Sequence, residues 1–274
     1  MTVTNAVETT MIWGTVSGAS MVGMVISLLL SVVLPIFLGI FIYKKTKAWV
    51  PAFFIGCGIF VGFAMILEQI CHAIVLTVTG SAIRDNIWLY AIYGGLAAAL
   101  FEECGRWIAM KFCLKKHLTR ENALMYGAGH GGIEAFLILG MSSMSNLLTA
   151  AMINGGLMEK TMTALEPAQQ EVTYHQLSVL WTTPAYQFYL APVERISAIA
   201  LQIALSILVY SAVKTGRKLH LAAAFGLHFA VDFLTVICAA AIPTWALELG
   251  LLLVVAVICV VVYQLVYVQM AEKK

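Results

Sequence analysis

Seven runs of predominantly apolar residues, each long enough to cross a bilayer, constrain this chain more than any other feature. A helix needs about 20 such residues to traverse the roughly 30 Å hydrocarbon layer, and the runs fall near 19–43, 50–78, 87–110, 122–145, 186–213, 219–241 and 245–269. In lipid each backbone N–H and C=O must be paired within the segment, which selects helices. The expected fold is all-α: a polytopic membrane helix bundle of about seven transmembrane helices. Composition agrees, since 274 residues that are 61% hydrophobic and 11% charged carry more apolar surface than one water-soluble core absorbs. No repeat or linker divides residues 1–274, which read as one domain. The start, MTVTNAVETTMIWG, has neither a basic n-region nor a small-residue cleavage site, so the first run is expected to remain as a span.

The polar residues between the runs set an orientation. Lys44, Lys45 and Lys47, then Lys111, Lys115, Lys116 and Arg120, then Lys214, Arg217 and Lys218, then Lys273 and Lys274 occupy alternate loops, and the loops between them hold only Arg84 and Lys160. By the positive-inside rule the N-terminus lies outside and the C-terminus is cytosolic. With 16 Lys+Arg against 14 Asp+Glu and a net charge of +2, dispersed in this way, nucleic acid is set aside as a partner and the lipid bilayer is the one implied. Cys57, Cys71, Cys104, Cys113, Cys238 and Cys259 show no CxxC spacing and read as small apolar packing residues. The longest polar interruption, about 154–185, lies outside; Glu166-Pro167 opens a short helix there, with Leu177 to Trp181 as its apolar face.

Ionisable residues inside the runs are the main functional signal. Each central charge costs roughly 2.5–3.5 kcal/mol on insertion scales, so such residues face the bundle interior and have a role. Glu68/His72, Glu102/Arg106, His130/Glu134 and His228/Asp232 are all i, i+4 pairs, each stacked on one helix face. Glu103, Glu194 and Arg195 add to them. Counted from the cytosolic ends at about 1.5 Å per residue, Glu102, His130 and His228 share a depth of roughly 12–14 Å. Glu134 and Asp232 lie one turn deeper. Glu194, Arg195, Glu68 and His72 come out nearer the outer face, as a second layer, an access path or interhelical polar pairs. Carboxylates and imidazoles at one level are the raw material of acid–base chemistry. The glycines around His130, in YGAGHGGIEA, are expected to let the fourth helix pack tightly on the Gly94, Gly95 and Ala97–Ala99 face of the third.

The segments FEECGRW (101–107), GHGGIEA (129–135) and LHFAVDF (227–233), with APVER (191–195) between them, resemble the YhfC family of intramembrane peptidases, and more widely the PrsW-like and CAAX prenyl-type (CPBP/Abi) glutamic intramembrane proteases. The resemblance implies a protease-like domain in the bacterial cytoplasmic membrane. Its substrate would be a membrane-protein or lipid-anchored peptide, hydrolysed by an activated water. The two-glutamate motif falls on Glu102, Glu103 and Arg106 with the EExxR spacing of the PrsW-like branch. The second motif matches either Tyr126 to His130 or His130 to Glu134. The third falls on His228 and Asp232, with Asp in place of the Asn of the prenyl proteases. Implied roles are Glu102 or Glu103 as general base helped by His130, Arg106 holding the partner glutamate, and His228 with Asp232 polarising the scissile carbonyl.

The resemblance favours no cofactor. Zinc is the alternative, with His130, Glu134 and His228 as its ligands, although HExxH is absent. A proton-coupled transporter and a non-catalytic scaffold or immunity protein are the readings from other classes. No inverted repeat or pair of broken helices of the transporter kind is visible.

Overall fold

A computed structural model describes residues 11–270. The first ten residues of the retained-start expectation, and Lys273 and Lys274 of the charge alternation, lie outside the described residues. Seven helices are long and apolar enough to cross a membrane: α1 (Gly18–Thr46), α2 (Pro51–Thr79), α3 (Ile87–Cys113), α4 (Arg120–Asn154), α7 (Ala185–Thr215), α8 (Lys218–Ala239) and α9 (Thr244–Tyr267). Two shorter helices, α5 (Leu157–Met162) and α6 (Pro167–Thr182), follow α4. No strand occurs among the described residues.

Local chemistry sets several of the ends. Ser17, Asn86 and Thr119 cap α1, α3 and α4, each side-chain oxygen accepting a backbone N–H of the first turn,. Pro51 and Pro167 stand in the first turns of α2 and α6, where a missing N–H costs nothing. The lysine-bearing loops meet at one end of the bundle: Asn122 Oδ1 accepts the Trp49 N–H at 2.7 Å, the Trp49 and His117 rings stack at 4.1 Å, and Arg120 donates to the Tyr267 carbonyl at 3.1 Å.

The first half of α4 and most of α7 form the centre. From Asn122 to Ala135 nearly every α4 residue is buried, enclosed by α1, α2 and α7, while α3 pairs with α8, and α7 also contacts α9. The outer faces are aliphatic and exposed, as with Leu29, Val33 and Phe37 on α1 and Leu253, Val257 and Val260 on α9. That is the surface a bilayer covers.

Two expectations are corrected. The glycines of α4 do not pack on α3. A Cβ on Gly129 would lie 1.9 Å from the Phe53 carbonyl oxygen of α2, one on Gly132 2.6 Å from Pro35 of α1, and ones on Gly127 and Gly131 within about 3 Å of α7. The four glycines point in different directions around the helix, so α4 is gripped on three sides. The small face of α3 receives α8 instead, with Gly95 against Phe229. The second correction concerns length: α4 runs nine residues beyond the expected 145. Its polar stretch of serines does not end it, because Ser142 bonds back to the Ile138 carbonyl of its own helix at 2.5 Å,. Beyond it, α6 starts at Pro167 as expected, and Leu177, Leu180 and Trp181 pack with Val16, Met24, Ala150 and Ile153.

Candidate active site

Arg106 on α3 is fully buried and organises the polar interior. Its Nε donates to Glu103 Oε2 at 3.1 Å. Its Nη1 donates to the Gln202 carbonyl at 2.9 Å and to Ser206 Oγ at 2.7 Å, and its Nη2 to Gln202 Oε1. Glu102 Oε2 is 3.9 Å from the same guanidinium. A guanidinium has five N–H donors in a rigid fork, and here four hydrogen bonds engage it, to one carboxylate, one backbone carbonyl, one side-chain amide and one hydroxyl.

The two adjacent glutamates face different partners. Glu103 is enclosed: one oxygen holds Arg106 and the other accepts the Nδ1–H of His228 at 2.9 Å. Glu102 accepts two bonds on Oε2, from His130 Nε2 at 2.9 Å and Gln202 Nε2 at 2.9 Å. Its Oε1 makes no hydrogen bond among the described residues. With Glu102 ionised, the His130 proton sits on Nε2, and Nδ1 is turned to the Tyr126 hydroxyl at 3.5 Å,. Phe60 abuts the imidazole edge to face, with ring centroids 5.2 Å apart.

A cavity of about 230 Å³ opens beside Glu102. Its ionisable wall is Glu102, Glu134, Glu194, Arg195, His228 and Asp232, contributed by α3, α4, α7 and α8, and its apolar wall includes Ile138, Leu251 and Val255. Arg195 reaches Glu134 Oε1 at 3.0 Å and also pairs with Glu194. Gln202 Nε2 donates to Glu134 Oε2 at 2.8 Å, so one amide joins Glu102 to Glu134. His228 Nε2 lies 3.5 Å from Asp232 Oδ2, longer than a good hydrogen bond.

The expected residues therefore separate into groups. Glu102, Glu134, His228 and Asp232 meet at the cavity. Glu103, Arg106 and His130 stand behind it, each holding a cavity-lining side chain or its partner. Glu194 and Arg195, expected nearer the outer face, line the same cavity. Glu68 and His72 pair at 3.2 Å apart from it, and the Tyr93 hydroxyl bonds His72 Nδ1 at 2.7 Å, tying α2 to α3. Glu68 closes the π-helical stretch Val61–Glu68.

Two participants escaped the sequence reading. Gln202 and Ser206 are uncharged and lie within an apolar run, yet Arg195, Gln202 and Ser206 sit at i, i+7 and i+11 on α7, a spacing that marks one helix face. Glu248 sits one turn inside α9. It is buried, and its Oε2 is the one buried side-chain polar atom without a partner among the described residues.

The donors do not fit a metal as they stand. His130 is outside the cavity with both ring nitrogens directed at other groups, and both Glu134 oxygens are held by hydrogen-bond donors. Among the described residues no three His, Cys, Asp or Glu side chains are grouped closely enough to hold an ion. The ligand trio of the zinc alternative, His130, Glu134 and His228, is thus not assembled among the described residues.

Fold and site together define a polytopic α-helical membrane protein with an acid- and histidine-lined chamber within its span. The chain belongs to the YhfC family: the profile described as YhfC intramembrane metalloprotease matches residues 30–259. It is 41% identical over 222 residues, 78% of this chain and 83% of the relative, to a Bacillus subtilis (strain 168) protein described as "Uncharacterized membrane protein YhfC". No solved structure matches. Membership in this family makes the chain an integral membrane protein of the intramembrane-protease type.

Proposed function

We propose that the chain is an intramembrane endopeptidase in which Glu102 activates the hydrolytic water, as in the glutamic proteases of the PrsW-like and CAAX prenyl types. The observation that carries this reading is the asymmetry of Glu102, whose Oε2 is fixed by His130 and Gln202 while Oε1 is left free on a residue lining the cavity. A fixed carboxylate with one open oxygen is placed to take a proton from water. In the reaction, Glu102 Oε1 accepts that proton as the hydroxide oxygen bonds to the scissile carbonyl carbon. His228, held through Nδ1 by Glu103, directs Nε2 toward the developing oxyanion and, when protonated there, stabilises it. The C–N bond then breaks as Glu102 returns its proton to the departing amine. Arg106 acts one step removed, by holding Glu103 and Gln202.

A second reading, metal-assisted hydrolysis, has the family description and one geometric feature in its favour. A histidine whose Nδ1–H is bound by a carboxylate is oriented as metal-ligating histidines are, and Asp232, 3.5 Å from Nε2, and Glu102 present oxygens on the same cavity wall. These groups are not assembled around a common point among the described residues.

Comparing the membrane proteome of cells carrying Glu102→Gln with wild type tests the proposal. Uncut membrane proteins are expected to accumulate in the variant, and an unchanged proteome would overturn it. Elemental analysis of the purified protein separates the two readings: no stoichiometric metal is expected for the glutamate mechanism, whereas one metal per chain lost on His228→Ala would favour the other.

A further inference from the structure

At the end of the bundle away from the lysine-rich loops lies a second cavity, of about 480 Å³, between the later part of α4, α6 and the start of α7. Asn146, Thr149, Gln176, Thr183 and Gln187 line it, and no charged side chain does. None of these five side chains hydrogen-bonds another protein group among the described residues. Asn146, Thr149 and Gln187 are half-buried, on helices that span the membrane. Their polar atoms stay open to the groove, since Glu248 Oε2 alone is buried and unpartnered among the described residues, so this wall presents neutral donors and acceptors to whatever enters it.

The groove and the acid-lined chamber follow one another along the same two helices. On α7 Gln187 and Ala191 line the groove and Glu194, Arg195 and Ala198 the chamber; on α4 Asn146 and Thr149 line the groove and Glu134 and Ile138 the chamber. These α7 positions recur every three to four residues and so share one face. The cause is a divergence of the two helices. Residues Arg120–Ala135 of α4 pack closely on α7, while Met141–Asn154 are not among its substantial partners.

We infer that this groove binds an unwound, backbone-exposed stretch of a membrane-embedded polypeptide and delivers it to Glu102. The inference rests on the endopeptidase reading. A peptide bond inside a helix is sheltered by its own hydrogen-bonded turn. Once unwound within the membrane, a segment carries backbone N–H and C=O groups that lipid cannot satisfy. Asn and Gln amides each offer two donors and an acceptor oxygen, which matches peptide groups, and the absence of charge lets the groove accept any sequence with an exposed backbone.

The test uses binding and needs no cleavage. Full-length Glu102→Gln protein in nanodiscs is titrated with two synthetic leucine–alanine transmembrane peptides of equal composition, one a continuous helix and one interrupted by Gly-Pro near its outer third. The interrupted peptide is expected to bind at least about ten-fold more tightly, and a photo-crosslinker at position 146 or 187 is expected to capture it. The double variant Asn146→Leu/Gln187→Leu in the same background is expected to lose that preference while still binding the continuous peptide as before. Equal binding of the two peptides by the otherwise unaltered Glu102→Gln protein overturns the inference whether or not the double variant folds. So does crosslinking to lipid in place of peptide. Preferential binding without any cleavage by the wild-type protein would sink the endopeptidase reading alone, and cleavage without preferential binding would sink the groove alone.

Discussion

At the scale of single residues, Glu102 and Glu103 are neighbours in sequence with opposite surroundings. Glu103 has both oxygens occupied and no access to the chamber, whereas Glu102 keeps Oε1 open on its wall. Glu102→Gln is therefore expected to abolish proteolysis with little change in thermal stability, since an amide preserves size and can still bond Gln202. Glu103→Gln should lower both, because it weakens the hold on His228 and on Arg106. Activity and unfolding of the purified variants, measured together, check this, and identical behaviour of the two would refute it. Arg106→Ala belongs to a different class. It removes a fully buried cation while leaving Glu103 buried, a change that costs about 3–5 kcal/mol, and should appear as a large loss of thermal stability in detergent even where catalysis is not assayed.

Among the elements, α2 and α4 set the geometry of the site through two glycines. A Cβ on Gly56 would come within 2.2 Å of the Tyr126 carbonyl oxygen, and one on Gly129 within 1.9 Å of the Phe53 carbonyl oxygen. Backbone stands against backbone at both points, so no flexible side chain can yield. Cys57 Sγ adds a 3.2 Å contact to the Gly129 carbonyl. Gly129→Ala is expected to force the helices apart at a cost of about 1–3 kcal/mol or more, and to displace the adjoining His130 from Glu102. Loss of activity should accompany the fall in melting temperature. A fully active, equally stable Gly129→Ala protein would show that this contact does not position the histidine. The sequence displayed the glycines but not their partners: a glycine announces close approach without naming the helix that approaches.

For the whole molecule, the alternation of Lys and Arg predicts one orientation, with the lysine-rich end cytosolic. The structure brings the 47–50 and 114–119 loops and the end of α9 together at that end. Single cysteines introduced at Lys45 and Lys116 of a cysteine-free variant should be blocked by a membrane-permeant thiol reagent only. One at Lys160 should be labelled from outside by an impermeant reagent. The opposite pattern would invert the topology and place the mouth of the polar groove on the cytosolic side.

The number and type of spanning elements follow from composition and run length alone, because lipid leaves the backbone no option but the helix and about 20 residues measure its thickness. Helical rise converts residue number into distance in the same way, and Glu102, expected at one depth with His130 and His228, does contact the first and share a cavity with the second,. Which side chains meet was not legible in the sequence. Helix rotation and neighbour choice decide that Glu102 faces the chamber and Glu103 does not, that Gln202 joins two carboxylates, and that His130 stands behind Glu102 and not beside His228. Those are set by packing of α4 against α1, α2 and α7, where glycines admit backbone contact, and by the five-donor geometry of Arg106. A local pattern in one helix carries the face on which a residue lies, but the identity of what that face meets is a property of the assembled bundle.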